Sequence, residues 1–251
     1  AGFRRVIHYR KPAGAFAEYE KEEYVVSEND LPALAESIAL GAGRPDEFAS
    51  CRAETARTRD LFVCTHGSRD VCCGSLGHPI YELAERMYAA PSGGALRVWR
   101  VSHLGGHRFA PTLADFPEAR YWAYVEPGDL ANIVRRSGAF SEVAGKYRGW
   151  GGVGKIEQVL EREALLREGW GWTALRKSGS AVRQDDGTYR VRIAAETEDG
   201  APAGVYEGVV ELAGTVMTGG CTAEPKEVPQ YRARMTVPEE SRTHFRHIRD
   251  L

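Results

Sequence analysis

The 251-residue sequence predicts an α/β (α+β) chain, with an N-terminal domain of alternating strands and helices followed by a smaller antiparallel β-hairpin unit. Three observations predict it. Strand-type and helix-type runs alternate up to about residue 169. Within them, LFVC (61–64), PIYELAERMYAA (79–90) and RVWRVS (97–102) read as strand, helix, strand, the grammar of a βαβ unit. From Trp170 onward the pattern changes to hairpins, with Asp-Gly turn pairs at 186–187 and 199–200. The expected division is 1–169, 170–237 and a charged tail, 238–251.

Each element has its own reason. RRVIHYR (4–10) and EYVV (23–26) are rich in β-branched and aromatic residues and read as strands. In NDLPALAESIAL, Leu31, Leu34, Ala35 and Ile38 recur at helical spacing, with Asp30 as a cap and Pro32 in the first turn. The next helix is expected to start near Pro79, which suits a first turn, with Ile80, Leu83, Ala84 and Met87 on one face. YWAYVEP (121–127) reads as a strand, GDLANIVRRSG as a short helix ending before Gly138, and KIEQVLEREALLREG as the clearest long helix. ALRKSGSAVR, TYRVRIAAET and VYEGVVELAGTV supply the hairpin strands.

Composition excludes several functions. Lys and Arg total 33 against 35 Asp and Glu, so nothing in the net charge calls for nucleic acid or an anionic membrane as partner. No run reaches the roughly 18 apolar residues of a membrane span, and AGFRRVIHYRKP at the start lacks a secretory apolar region. The five cysteines are odd in number and three crowd together, which speaks against a secreted disulfide framework and for metal or redox chemistry. A cytoplasmic address is expected.

The stretch VCTHGSRDVCCGSLGH (63–78) holds those three cysteines and two histidines. Cys64 ends a strand, and Cys73 is expected in the loop before the helix. His103 and His107, in SHLGGHRFAPT (102–112), occupy the loop leaving the next strand. Parallel strands joined by a crossover place their C-terminal ends at one sheet edge, so these two loops can meet where open α/β sheets usually bind ligands. Gly105 and Gly106 let the loop bend so that His103 and His107 converge. Two thiolates and two imidazoles suit tetrahedral zinc or an iron–sulfur cluster. Cys64 and Cys73 are separated by eight residues, wider than the two to four typical of a zinc knuckle, so the loop can wrap a larger object.

At CTHGSRDVCCG (64–74) and SHLGGHRFAPT (102–112), and more weakly at YRGW (147–150) and RRVIHYRKP, the sequence resembles the sucrase/ferredoxin-like family, a branch of the thioredoxin-like 2Fe-2S ferredoxins. The resemblance implies a thioredoxin-like domain whose βαβ unit carries a 2Fe-2S cluster on Cys64, Cys73, His103 and His107. Neighbours in an extended segment face opposite sides, so Cys72 and Cys73 are not both expected to ligate, and the resemblance selects Cys73. Some relatives reduce ferric siderophores, which implies an electron-transfer function with a ferric chelate as possible acceptor. The electron donor is not specified. Arg69 and Arg108 flank the ligands and could tune the cluster or attract anions.

Two alternatives belong to other classes: a zinc-stabilised binding module without redox activity, and a thiol oxidoreductase using Cys72 and Cys73, for which the C-x-x-C spacing is missing. Cys-Thr-His at 64–66 opens a Rieske-type signature but lacks its second half, so His66 is not expected to ligate. GWGGVGKI (149–156) fits a phosphate-loop pattern but ends in Ile156 where a Mg²⁺-binding hydroxyl belongs, and no apolar strand precedes it. Cys51 and Cys221 read as structural, and His244 and His247 as solvated tail residues.

Overall fold

The βαβ unit expected at residues 61–102 is present and forms the centre of the protein. The computed structural model describes residues 2–40, 45–67, 71–219 and 224–236, excluding the side chains of residues 45, 46 and 107. In chain order the strands are β1 (Phe3–Arg10), β2 (Glu20–Ser27), β3 (Arg59–Cys64), β4 (Leu96–Val101), β5 (Leu113–Phe116), β6 (Arg120–Trp122) and β7 (Tyr147–Trp150). They are followed by β8 (Arg176–Arg183), β9 (Tyr189–Glu196), β10 (Pro202–Thr218) and β11 (Lys226–Thr236). The helices are α1 (Leu31–Leu40), α2 (Val71–Ala84), α3 (Asp129–Arg135), α4 (Glu157–Glu168) and the single turn α5 (Gly171–Ala174).

A five-stranded sheet runs in the order β4-β3-β5-β6-β7. β3 and β4 are parallel, with Cys64 opposite Val101, and α2 is the crossover between them. β5 then pairs antiparallel to β3, and β6 antiparallel to β5. A parallel βαβ half joined to an antiparallel ββ half is the thioredoxin-like arrangement implied by the resemblance. β8 to β11 form a separate antiparallel sheet in the order β11-β10-β9-β8. β11 was not foreseen; Pro229 inside it is tolerated because the strand lies at an edge, where no neighbour needs its missing N–H.

α4 is packed between the two sheets. Leu160, Ala164 and Leu165 on α4 are fully buried in one continuous apolar core with Leu61 and Val63 of β3 and Val191 and Ile193 of β9. Burying each of these leucine, isoleucine and valine side chains contributes about 1.5–3 kcal/mol. Glu161 also enters that core, and its carboxylate accepts hydrogen bonds from Arg120 (3.2 Å), Tyr147 (2.9 Å) and Trp172 (3.1 Å).

One arrangement was not foreseen and two expectations are corrected. β1 and β2 form their own hairpin outside the main sheet, with a small core of Tyr24, Val26 and Leu34 that α1 helps to close. β6 ends at Trp122, and the main sheet gains β5 and β7, each only four residues long and so without enough alternation to read in the sequence. The largest correction concerns α2. It begins at Val71 rather than near Pro79, so Pro79 lies inside the helix, a position at which proline usually ends one.

Candidate functional site

Cys64 is the last residue of β3 and is buried, 1% exposed. Its N–H donates to the Thr112 carbonyl (3.1 Å), and its Sγ–H points to the Ser102 carbonyl (3.8 Å), immediately before His103. Thr65 N–H donates to the Val101 carbonyl (3.1 Å), which ties the exit of β3 to the end of β4. The two loops that the topology was expected to bring to one sheet edge therefore do meet.

The second cysteine reaches this point on a helix instead of a loop. Cys72 and Cys73 occupy the first turn of α2, which overturns the argument from an extended segment. Adjacent helical side chains diverge by about 100°, and the two still differ: Cys73 is buried, 1% exposed, and Cys72 half-buried. Cys64, Cys73 and Ala110 pack as one small buried cluster, with Cys72 and Leu104 against it and separate from the main core. Cys51, Cys64, Cys72 and Cys73 form no disulfide among the described residues.

Two glycines permit this approach of helix to strand. A Cβ on Gly77 would lie 2.0 Å from the Cys64 carbonyl oxygen, and one on Gly74 would lie 2.7 Å from the Gly67 backbone. Only hydrogen fits at either place, so α2 is seated directly on the end of β3. A β-carbon at 77 would push Cys73 away from Cys64. Gly77 was not singled out in the sequence, because its requirement comes from a contact thirteen positions away.

His103 is exposed on the loop after β4. Gly105 and Gly106 both adopt left-handed backbone (φ 79° and 65°), which folds the segment back on itself and into a short 3₁₀ turn, His107–Phe109. That turn packs on α2. His107 is thus placed on the turn beside the helix of Cys73, while its side chain lies outside the described residues. Among the described residues, no three His, Cys, Asp or Glu side chains are gathered closely enough to form a metal-holding group. The structure brings together the cysteine pair and the loop that carries the histidines.

The other candidate positions are plainly disposed. Cys51 packs beside Tyr24 and Leu34 in the small N-terminal core. His66 is half-buried just beyond β3. Arg69, Cys221, His244 and His247 lie outside the described residues, as does the tail 238–251. No helix among the described residues is long and apolar enough to cross a membrane.

Sequence reasoning singled out Arg108 but missed the group it belongs to at the border of the histidine loop. The Phe109 ring lies against Gly106, where a Cβ would come within 2.6 Å of it. The Arg108 guanidinium sits 4.4 Å and that of Arg148 4.1 Å from the same ring centroid. Tyr124, itself with positive φ (53°), meets Phe109 edge-on at 5.7 Å.

Comparison with known proteins decides the family. A sequence model described as sucrase/ferredoxin-like matches residues 6–149, more than half of the chain, including the whole of β3 to β6 and all but the last residue of β7. The chain belongs to the sucrase/ferredoxin-like family. A curated relative, altered inheritance of mitochondria protein 32 from Meyerozyma guilliermondii, is 29% identical over 97 residues, covering 36% of this chain and 34% of its own length. The chain thus spans about a third of that relative. Among solved structures, a thioredoxin-like [2Fe-2S] ferredoxin from Aquifex aeolicus is similar with a TM-score of 0.33 and 14% identity, over 38% of this chain and 94% of that one. Its Cys55Ser variant gives 0.31 and 13%, over 36% and 98%. For this sucrase/ferredoxin-like chain, the matched segment contains every residue of the candidate site.

Proposed function

We propose that this protein is a 2Fe-2S electron-transfer protein whose cluster is held by Cys64 and Cys73 on one side and His103 and His107 on the other. The observation that carries the reading is the pair of buried cysteines outside any disulfide, one from the end of β3 and one from the first turn of α2, packed together with Leu104 of the histidine loop against them. Thiolate sulfur and imidazole nitrogen are the donor types that a mixed-ligand 2Fe-2S centre uses. When bound, such a centre supplies reversible one-electron transfer.

The residues of the chain do the rest. Cys64 and Cys73 hold the buried side, where Ala110 and Leu104 exclude water. His103, exposed, is the natural exit for an electron, because the path from loop to solvent is shortest there. A ferric chelate as acceptor is the finer form of this proposal, supported by the family's association with siderophore reduction. The zinc and dithiol alternatives are less well supported. The nine-residue step from Cys64 to Cys73 exceeds a zinc knuckle, and Cys72 and Cys73, adjacent on a helix, lack the two-residue gap of a dithiol motif.

Voltammetry on the purified protein tests the reading. Two neutral imidazoles in place of two thiolates remove negative charge, so the expected midpoint potential lies well above the roughly −400 mV of all-cysteine plant-type ferredoxins. Absence of a reversible one-electron couple would reject electron transfer, and a couple near −400 mV would reject the histidine ligands.

A further inference from the structure

Arg108 and Arg148 stand apart from most of the charged groups around them. Both are exposed, and neither takes part in any ion pair among the described residues, although the sheet they border is laced with such pairs. Both guanidinia rest on one phenyl ring, Phe109, so they can be separated by no more than the sum of their two distances from it. The ring attracts each cation and holds both in place despite their mutual repulsion. Burial pulls the Arg148 guanidinium below its ordinary pKa; Tyr124 opposes that, and Arg108 and Arg162 add to it. Tyr124 is 46% exposed beside them.

We infer that Arg108 and Arg148, held on Phe109 with Tyr124 alongside, form a docking site for a small multivalent oxyanion, presented either as a free molecule or by the outer carboxylates of a metal chelate. Two guanidinium forks on one ring offer paired N–H donors of the kind that clamp carboxylate or phosphate oxygens. An anion between them would relieve their repulsion. The patch is one phenyl ring, one phenol and two guanidinia, far short of the roughly 800 Å² per partner of a stable protein interface, which favours a small ligand over an acidic protein. Phe109 also packs on Gly106, in the turn leading to His107, so the ligand would sit against the loop of the candidate cluster. The site depends on surface geometry and does not require that cluster.

Calorimetric titration of the full chain with citrate, and separately with gallium(III) citrate as a redox-inert counterpart of a ferric chelate, tests it. At least one probe should bind, with affinity falling about tenfold or more in Arg108→Gln and in Arg148→Gln and falling again as salt rises. Arg148→Lys, which keeps charge but loses the planar fork, should retain part of the affinity. Equal binding of both probes would identify the free anion as ligand, and preference for the gallium form would identify a chelate. Circular dichroism checks folding; should Arg148→Gln fail to fold, the exposed Arg108→Gln decides. Binding of neither probe, or binding unchanged in the variants, overturns the site. A colourless wild type that still binds citrate would defeat the cluster reading and leave this site standing.

Discussion

The two ends of the same parallel strand pair, β3 and β4, are built on opposite principles. At the start of β3, Asp60 is fully buried and accepts hydrogen bonds from Arg97 (2.8 Å), Trp99 (2.7 Å), Tyr9 and Lys21. Arg97 also bonds Glu23, which Arg5 and Thr55 complete, and Arg59 pairs with Asp115. Four residues on, at Cys64, the strand pair ends in two buried cysteines, an exposed histidine and, among the described residues, two arginines, Arg108 and Arg148, outside any ion pair. At one end a network of ion pairs clamps the β1-β2 hairpin to the sheet; at the other, Arg108 and Arg148 stand outside any ion pair among the described residues. Such an asymmetry is expected where one edge serves stability and the other a ligand, since unanswered polar groups persist only where something else uses them.

The largest effect that could break this contrast is at the thiols. Cys73→Ser should abolish cluster binding, seen as loss of the visible spectrum and of iron, while Cys72→Ser should retain both, because Cys73 is the buried member of the small core with Cys64. The reverse pattern would move the ligand by one residue along α2 and leave the sheet edge as the site.

At the opposite end, Asp60→Asn should cost about 3–5 kcal/mol of unfolding free energy in urea, since it strands Arg97 and Lys21 beside a neutral group. The cluster spectrum of the folded fraction should be unchanged. Burial pushes the Asp60 carboxyl up, but hydrogen bonds from Arg97, Lys21, Trp99 and Tyr9 outweigh it and hold its pKa below the usual value. A depressed carboxylate stabilises the fold fully above its unfolded-state pKa, near 4, and loses that contribution as pH falls through the folded value. Urea midpoints measured downward from pH 5 should therefore drop more steeply for wild type than for Asp60→Asn.

How much of this was legible differs between the ends. The thiols, the histidine loop and the βαβ placement were readable because they are local: LFVC is a four-residue apolar run, and SHLGGHRFAPT carries its own glycine bends. Asp60 was not, since a single aspartate before an apolar run looks like a surface residue until Tyr9, Lys21 and Arg97 arrive from three other strands. The start of α2 was misplaced because Pro79 is a strong local signal, and tertiary contact with β3 through Gly77 overrode it. The Arg108–Phe109–Arg148 stack joins positions 40 apart and has no sequence period at all.

A smaller effect sharpens the comparison at the seam between the two ends. Gly77→Ala places a methyl 2.0 Å from the Cys64 carbonyl oxygen, so α2 must shift. Overpacking of this kind costs about 1–3 kcal/mol, measurable by thermal or urea unfolding. It should also lower the iron bound per chain, which Asp60→Asn should not.

The central claim is that the open end of the strand pair holds a 2Fe-2S cluster. It is tested most directly by the visible spectrum with iron and labile-sulfide analysis of protein purified without oxygen. A red-brown protein with about two iron and two sulfides per chain is expected; a colourless protein carrying one zinc per chain would contradict the cluster.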